Sequence, residues 1–193
     1  TVGEFVLNDA LQNFVSHPEH TINFVIDNTE MLLQLLEKGK LDFSVIEGFF
    51  DKSKYPHHLY KKELFLGICA KNHPFAGKTV SISDIFKETL ILREAGSGTR
   101  QLLEQAICNL GYSMDNFKRC LYVNNFSVIR DLVGSGIGVS YAYAAVINKN
   151  SKLSTFTVED INITGELNFV YCDKEMAVEK INLFFDDNCF NTI

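Results

Sequence analysis

The feature that most constrains this chain's fold is a repeated alternation between helical and strand-like segments. Apolar residues follow helical spacing from Leu7 to Val15 and again from Leu32 to Leu36, where Gly39 ends the second stripe. Between these stripes, Ile22 to Ile26 alternates as a strand does, and the mostly apolar stretch Leu41 to Gly48 comes afterwards. The order helix, strand, helix, strand predicts an α/β fold, with a parallel sheet and helices on its faces.

The same alternation continues through the rest of the chain. Its strand-like stretches are ELFLGICA, TLILRE, RCLYVNN, ELNFVYC and IGVSYAYAAV, the last of which runs on into a helix. Its helical stretches are SISDIF, Leu102 to Leu110, FSVIRDLVGSG and MAVEKINLFFDDN. A seam between two lobes is expected near Lys71–His73. The strand ELNFVYC is then the candidate for a second crossing back to the first lobe.

A small-residue turn joins a strand to a helix within Ile91–Gln105. No G-K-[ST] follows the glycines of this turn, and the glycines directly flank Ser97, so the turn is neither a P-loop nor a nucleophile elbow. The first turn of a helix presents unpaired N–H groups and a partial positive charge. Ser97 and Thr99 therefore have two interpretations, as caps of the helix or as hydroxyl donors to an anion.

Three further junctions place small polar residues where a predicted helix begins. Thr1 precedes the first helix, Asn28 or Thr29 is a candidate cap for the second, and Asn124–Ser127 stands between a strand and a helix. Simple capping explains each junction taken by itself. Ligands of open α/β sheets bind at the carboxyl ends of strands, so several such junctions together favour a shared binding site.

The glycines between Gly134 and Ser140 form a G-x-G-x-G pattern in the reverse of a dinucleotide-binding context. They follow a predicted helix and precede a predicted strand, whereas a dinucleotide site needs a strand first and a helix afterwards. The pattern therefore predicts a helix stop and close packing of the backbone.

The net charge and the distribution of cysteines argue against several classes of function. The net charge of −6 makes the chain a poor nucleic-acid binder by itself, and neither a signal peptide nor an apolar stretch of spanning length is evident. The cysteines are scattered without a C-x-x-C pair, which favours free thiols in a reducing cytoplasm and disfavours zinc: Cys69, Cys108, Cys120, Cys172 and Cys189. No arrangement of His with Ser or Cys, and no paired carboxylates, indicates catalysis.

Several segments in their order and spacing resemble the effector-binding domain of LysR-type transcriptional regulators. The resemblance covers nearly the whole chain, and the form LREAGSGTR is similar to a subgroup that includes regulators of sulfur and carbon assimilation. The segments that carry it are TVGEFVLNDAL, NTEMLLQLLEKGKLDFSVIEG, AKNHPFAGKTVSISDI, LILREAGSGTRQLLEQ and NNFSVIRDLVGSGIGVS, with a closing helix.

The resemblance implies two Rossmann-like lobes joined by two crossover strands, as in type 2 periplasmic binding proteins. Residues 1–72 with 173–193 would form regulatory lobe I, and residues 73–172 would form regulatory lobe II. The family's winged helix-turn-helix, through which DNA would be bound, and the first strand of the effector domain are expected upstream of Thr1. A homodimer or tetramer in the cytoplasm, with no membrane association, no cofactor and no metal, completes the expectation.

The resemblance also implies a small, anionic effector held in a cleft between the lobes. Carried over residue by residue, the effector site would be lined by Thr1, Thr29, Glu47, Gly48, Ser97, Gly98, Thr99, Arg100, Asn124, Asn125, Phe126 and Ser127. Phosphorylated sugars, amino-acid derivatives, sulfate-like ions and aromatic acids all remain compatible with these residues.

Two rival functions remain alongside a non-catalytic sensor. A solute-binding protein of a transport system would have a similar fold but would need export, against which the unpaired cysteines argue. An enzyme on the same fold would use a Cys or His as its catalytic group. An upstream winged helix or signal peptide would distinguish the first two functions, and thiol alkylation would test the third.

Overall fold

Two strands of the computed structural model each run from one compact unit of the chain into the other. The structure describes residues 2–147 and 152–185. Unit 1 holds the chain up to Lys62 and from Glu166 onward, and unit 2 holds Glu63–Gly165. Strands β2 (His57–Ala70) and β8 (Ile163–Val170) contain the two boundaries. The division thus falls inside these strands, whereas the sequence places it beyond their ends, after residues 72 and 172. The assignment of regulatory lobes I and II stays a prediction.

Unit 1 packs helices against both faces of a short antiparallel ladder. Its further elements are α1 (Val2–Phe5), α2 (Asn8–Ser16), α3 (Thr29–Glu37), β1 (Ser44–Glu47) and α8 (Lys174–Phe185). Strand β1 pairs with β8, with Val45 opposite Phe169 and Ile46 opposite Asn168. Successive side chains of a strand point to opposite faces. Ile46 therefore joins one apolar cluster with Leu36 of α3, while Val45 packs on another around Phe169 and α8.

The sequence-based prediction of a strand at Ile22–Ile26 is wrong. The structure places residues 21–28 outside every helix and strand, and leaves Ile22 and Ile26 exposed while Val25 packs on the α3 cluster. A strand needs a neighbour that pairs with its backbone N–H and C=O groups. The described residues of unit 1 give β1 an antiparallel ladder with β8 and give residues 21–28 none, so the predicted parallel sheet does not form in the first fifty residues.

Unit 2 contains the remaining elements of the structure. Besides its share of β2, these are β3 (Thr79–Val80), α4 (Ile82–Ile85), β4 (Thr89–Leu92), α5 (Gly98–Asn109), a 3₁₀ turn (Met114–Asn116), β5 (Arg119–Tyr122), α6 (Phe126–Gly134), β6 (Ser140–Tyr143), α7 (Ala144–Ile147) and β7 (Leu153–Val158). Strand β2 pairs antiparallel with both β6 and β7. Apart from β3, β7 and the 3₁₀ turn, these elements fall in the segments that the sequence predicts.

Strands β4 and β5 lie parallel and in register from Thr89 opposite Arg119 to Leu92 opposite Tyr122. The chain just before β6 joins the other side of β4, because Val139 accepts a hydrogen bond from Ile91 N–H at 2.8 Å and donates one to Thr89 O at 2.9 Å. The parallel order brings the carboxyl ends of β4 and β5 to one edge. Helices α5 and α6 both begin at that edge, as the sequence predicts for strand-to-helix junctions.

Glycines allow several close approaches in unit 2. A methyl group at Gly138 would clash with the carbonyl oxygen of Thr89, which confirms the predicted close backbone packing between the α6 stop and β6. At Gly136 the φ angle of +76° places the helix stop in the left-handed region that favours glycine. In β2, a methyl group at Gly67 would overlap the ring of Phe156 on the neighbouring strand β7.

Among the residues that the structure describes, no helix combines the length and apolar character needed to cross a membrane.

Replacing Gly67 by alanine is expected to destabilise unit 2 by about 1–3 kcal/mol, since the added methyl overpacks a filled site. Urea unfolding followed by circular dichroism measures the loss. Thr164→Ala, an exposed change on β8, serves as control and should stay within about 0.5 kcal/mol of wild type. In Gly67→Ala/Phe156→Leu the loss should be smaller than the sum of the single losses, because leucine frees space. Strictly additive losses would contradict the packing argument.

Candidate functional site

The turn between β4 and α5 ends in a serine that occupies the N-cap position without capping the helix. Ser97 precedes Gly98, the first residue of α5, and its side chain makes no capping hydrogen bond to the helix backbone. Its hydroxyl instead lies 2.9 Å from the hydroxyl of Thr99, and both side chains are buried. One hydroxyl of such a pair donates to the other, and the accepting hydroxyl keeps a hydrogen for another acceptor. The capping interpretation of Ser97 is therefore wrong for this geometry.

The first turn of α5 also presents backbone donors. The first helical hydrogen bond runs from Gln101 N–H to Ser97 O at 3.2 Å. The N–H groups of Gly98, Thr99 and Arg100 come before that bond and have no acceptor among the described residues. Unpaired N–H groups and the helix dipole together give this end of α5 a partial positive charge. The arrangement is suited to accept the oxygens of an anion.

Two arginines flank this turn, and a glutamate pairs with each of them. Arg93 donates to both carboxylate oxygens of Glu94, at 2.8 and 3.0 Å. Arg100 donates through Nε to Glu104 at 2.7 Å, and its guanidinium lies over the ring of Tyr122, 4.6 Å from the centroid. Both cations thus have a carboxylate partner, while the N–H donors of the turn have none among the described residues.

The junction between β5 and α6 divides the predicted residues between two roles. Asn125 caps α6, because its side-chain oxygen accepts a hydrogen bond from Val128 N–H at 3.1 Å. Asn124 is exposed and Ser127 is partly exposed, while Phe126 is buried. Of the two roles considered for these junctions, capping a helix is therefore the one confirmed for Asn125. Phe126 contacts a pocket next to the start of α5.

A small pocket in unit 2 connects the starts of α5 and α6 with β4 and β6. Its cavity volume is about 10 Å³, which is room for about one water molecule. The apolar part of the lining consists of Phe65, Leu92, Leu103, Phe126 and Ile129. The polar part consists of Arg93, Thr99, Arg100, Ser140 and Tyr141. The structure thus brings Thr99, Arg100 and Phe126 of the predicted site together.

The sequence analysis missed the pocket residues that lie on strands. Ser140 is buried in β6 and donates a hydrogen bond to Ile91 O at 2.6 Å, which ties β6 to β4. Tyr141 follows it, and Phe65 lies on β2 opposite Tyr143. The available signal was the polar pair Ser140-Tyr141 inside an otherwise apolar strand pattern, which is unusual for a buried strand.

The predicted residues of unit 1 form a second group. Thr29 begins α3, is buried, and donates its hydroxyl to the backbone carbonyl of Glu47 at 3.2 Å. Asn28, rather than Thr29, caps α3 by accepting from Met31 N–H at 3.0 Å. Glu47 ends β1, and Gly48 follows with a φ of +81°. Thr1 lies outside the described residues. The structure thus brings Thr29, Glu47 and Gly48 together, and their part in effector binding stays a prediction.

None of the cysteines that the structure describes lines the pocket. Cys69, Cys108, Cys120 and Cys172 are free thiols, and Cys189 lies outside the described residues. Burial, aided by the nearby carboxylate of Glu88, raises the pKa of Cys69 to about 11, so the thiolate is a minor form at neutral pH. Within residues 2–147 and 152–185, no group of three or more His, Cys, Asp or Glu residues is placed to hold a metal ion.

Comparisons with known proteins identify one family. The family model described as "LysR substrate binding domain" matches residues 1–186. A probable RuBisCO transcriptional regulator of Trieres chinensis is 24% identical over an alignment of 198 positions, which covers 97% of this chain and 64% of that protein. The chain thus spans less than two thirds of that relative. The family and this relative are transcriptional regulators, not enzymes.

Solved structures share the fold at low sequence identity. The regulatory domain of CcmR from Synechocystis PCC6803, in complex with 2-PG, superposes with a TM-score of 0.81 at 16% identity and covers 96% of this chain and 92% of that chain. The effector binding domain of QuiR, in complex with shikimate, gives a TM-score of 0.76 at 16% identity, with 100% and 95% covered. These similarities confirm the predicted periplasmic-binding-protein-like α/β fold.

Removing the side chain of Asn125 is expected to lower the free energy of unfolding by about 1 kcal/mol, the usual loss when an N-cap is replaced by alanine. Asn124→Ala is the matched control, because its exposed side chain does not cap α6. It should stay within about 0.5 kcal/mol of wild type. Urea unfolding of both variants measures the difference, and equal losses would show that Asn125 does not act as the cap.

Alkylation with iodoacetamide in the native state is expected to modify Cys108 and Cys172, which are exposed, while Cys69 stays protected. Protection has two causes, burial and a pKa raised to about 11, so the thiolate fraction of Cys69 grows only as the pH approaches 11. Mass spectrometry after labelling at pH 8 reads out each site. Labelling in urea is the control that should expose Cys69, and rapid native labelling of Cys69 would contradict its burial.

Proposed function

The chain belongs to the LysR substrate-binding-domain family, and we propose that it is the ligand-sensing regulatory domain of a transcription regulator. Its ligand is a small anionic effector, and catalysis has no part in its function. In the full-length protein, effector binding alters how DNA is held by a winged helix-turn-helix domain outside this chain. A ligand has this effect when it binds one conformation of the protein more tightly than another.

The main observation that supports an anionic effector is the set of hydroxyl and N–H donors at the start of α5. Ser97 stands at the N-cap yet bonds to Thr99, and the first N–H groups of the helix have no acceptor among the described residues. Hydroxyl and N–H donors on a helix N-terminus form a suitable site for carboxylate, sulfate or phosphate oxygens. The ligands named for the structures of similar fold, 2-PG and shikimate, support a small-molecule effector.

The predicted residues of unit 1 would provide a second set of contacts to the effector. Thr29 and Glu47 are buried and joined by a hydrogen bond, and Gly48 follows β1 in the left-handed conformation that favours glycine. A cleft between two lobes, which would bring both sets to one effector, stays a prediction from the family resemblance.

The assembly of the whole protein is also part of the proposal. The net charge of −6 leaves this chain poorly suited to bind DNA phosphates, so DNA contact belongs to the additional domain. A homodimer or tetramer in the cytoplasm would place two or more such DNA-binding domains on one operator.

We expect one class of small anion to raise the melting temperature of this domain saturably, and expect Ser97→Ala to weaken that effect. A ligand at one hundred times its Kd stabilises by about 2.7 kcal/mol, which corresponds to several degrees in a chain of this size. Losing one hydrogen bond to a charged group costs about 1.5–3 kcal/mol of binding free energy. The compounds are sulfate, phosphate, O-acetylserine, simple carboxylates and sugar phosphates, measured by thermal shift in low salt.

Ser135→Ala is the matched control, since the exposed Ser135 hydroxyl bonds to Asp131 O in its own helix. The control should keep the wild-type response. An undiminished response in Ser97→Ala would assign the β4–α5 turn a structural role. For a compound that binds, mobility-shift titration of the full-length protein on its operator tests regulation, and unchanged DNA affinity and mobility would contradict the sensing role.

A further inference from the structure

Two histidines lie together where helix α2 ends in unit 1, inside the sequence SHPEH. His17 and His20 are three positions apart, and their ring centroids are 5.0 Å from one another. The N–H of His17 donates to Phe14 O at 3.4 Å, and the N–H of His20 donates to His17 O at 3.0 Å. These bonds and the fixed φ of Pro18 restrain the shape of the turn. The site proposed at α5 uses neither histidine.

Both rings turn their Nδ1 atom toward an oxygen, which leaves Nε2 as the available nitrogen. The Nδ1 of His20 lies 3.1 Å from Phe14 O. A carbonyl oxygen only accepts, so Nδ1 of His20 carries a hydrogen and, in the neutral ring, Nε2 holds the lone pair. The Nδ1 of His17 lies 3.7 Å from a carboxylate oxygen of Glu19, which favours the same tautomer. Histidines that bind metals characteristically direct their other ring N–H to a carbonyl or carboxylate in this way.

The buried core of unit 1 fixes the position of His20. Its ring stacks on Phe14, with centroids 4.4 Å apart and planes inclined by 22°. Phe14 is buried and packs against Phe184 of α8, with 5.5 Å between the centroids. A side chain held in this way loses little rotamer freedom when a ligand binds, so binding costs less entropy. His17 and Glu19 are exposed, so the pair of rings is accessible to solvent.

The local charge and the spacing of the two rings both fit a metal cation. The last carbonyl groups of a helix carry a partial negative charge, and Phe14 belongs to the last turn of α2. Glu19 adds a full negative charge beside His17. Two imidazoles bound through Nε2 to one tetrahedral Zn²⁺, at a Zn–N distance of about 2.0–2.1 Å, have ring centroids about 5 Å apart.

We propose that His17 and His20 form a binding site for a divalent transition-metal ion of the Zn²⁺ class, which coordinates the Nε2 atoms of both rings. Within the described residues no group of three or more ligands is placed to hold a metal, so water completes the coordination. Imidazole ligands select Zn²⁺, Ni²⁺ or Cu²⁺ over Mg²⁺, which prefers oxygen. The site would be independent of effector binding, and it revises the sequence-based expectation that the chain holds no metal.

Isothermal titration of the tag-free chain with ZnCl₂ tests the site, after iodoacetamide has blocked the exposed thiols of Cys108 and Cys172. We expect one ion per chain in wild type, the same pattern with NiCl₂, and no binding of MgCl₂. Glu19→Gln keeps both ligands and should weaken Zn²⁺ binding about tenfold, the smaller of the usual effects of an outer partner. His17→Ala and His20→Ala each remove a ligand, so each should weaken binding by more than Glu19→Gln does.

His57→Ala is the matched control for the two histidine variants. The Nδ1 of His57 also lies close to a backbone carbonyl, 3.0 Å from Tyr55 O, but its ring packs edge-on against Phe50. Removing this ring takes away a histidine of the same unit without touching the proposed ligands. His57→Ala should therefore bind Zn²⁺ as wild type does.

Two further readouts separate metal ligation from folding. The side chain of His17 is exposed, so His17→Ala should melt at the wild-type temperature without metal although it loses Zn²⁺ binding. Zn²⁺ should raise the melting temperature of wild type, because the ion binds the folded chain. In NMR spectra of the ring nitrogens, the Nε2 signals of His17 and His20 should shift together as Zn²⁺ is added, while those of His57 stay in place.

The binding results decide the proposal without reference to the effector. Zn²⁺ binding that either His17→Ala or His20→Ala retains at wild-type strength overturns it. Absence of Zn²⁺ and Ni²⁺ binding at millimolar concentration overturns it as well, and so does Mg²⁺ binding of equal strength. Each of these results leaves the function proposed for the start of α5 standing, because neither histidine belongs to that site.

Discussion

The sheet pairing of each unit depends on one of the two strands that run between the units. Strand β8 supplies the partner of β1 in unit 1, and strand β2 supplies the partner of β6 and β7 in unit 2. The ladder of unit 1 therefore cannot form from a continuous stretch of chain, because β1 precedes unit 2 and its partner residues in β8 follow unit 2, whereas the pairings of β2 with β6 and β7 lie within the continuous stretch of unit 2. The close contact of Gly67 with Phe156 belongs to this constraint, since β2 can hold β7 only where the side chain opposite the ring is absent.

The site at the start of α5 results from a competition for hydrogen bonds. A serine at the N-cap usually satisfies the helix backbone, and Asn125 shows that outcome at the start of α6. At α5 the two hydroxyls of Ser97 and Thr99 satisfy one another instead, which leaves the backbone donors of the first turn available. Two junctions of the same kind thus differ in their hydrogen bonding, because Asn125 caps its own helix and Ser97 does not.

The sequence predicted much of the fold because most elements carry their own local signals. Helix α3 begins after a capping Asn28 and ends before Gly39 at a φ of +62°, as its stripe and stop signal indicate. The failures are positions where a partner decides the outcome. Residues Ile22–Ile26 have strand alternation without a ladder, and β7 is recognisable mainly through its pairing with β2 and β3.

The same distinction applies to the candidate site. Ser97, Thr99 and Phe126 could be predicted because they lie at junctions that the sequence displays. Ser140 and Tyr141 could not, because their place in the pocket follows from the parallel contact between β4 and the start of β6, which is long-range. The choice between cap and donor for Ser97 also required coordinates, since both roles use the same residue type at the same position.

Gly138 has a consequence for how such a pocket evolves. Gly138 has no side chain, so the start of β6 can approach the carbonyl oxygen of Thr89. This close approach determines how near Ser140 and Tyr141 lie to β4. A larger residue there would shift both side chains at once instead of changing one contact. Changes in the shape of the pocket are therefore accessible through walls such as Phe65 or Phe126, one substitution at a time. Laboratory selection for variants that fold should diversify those walls and return glycine at position 138.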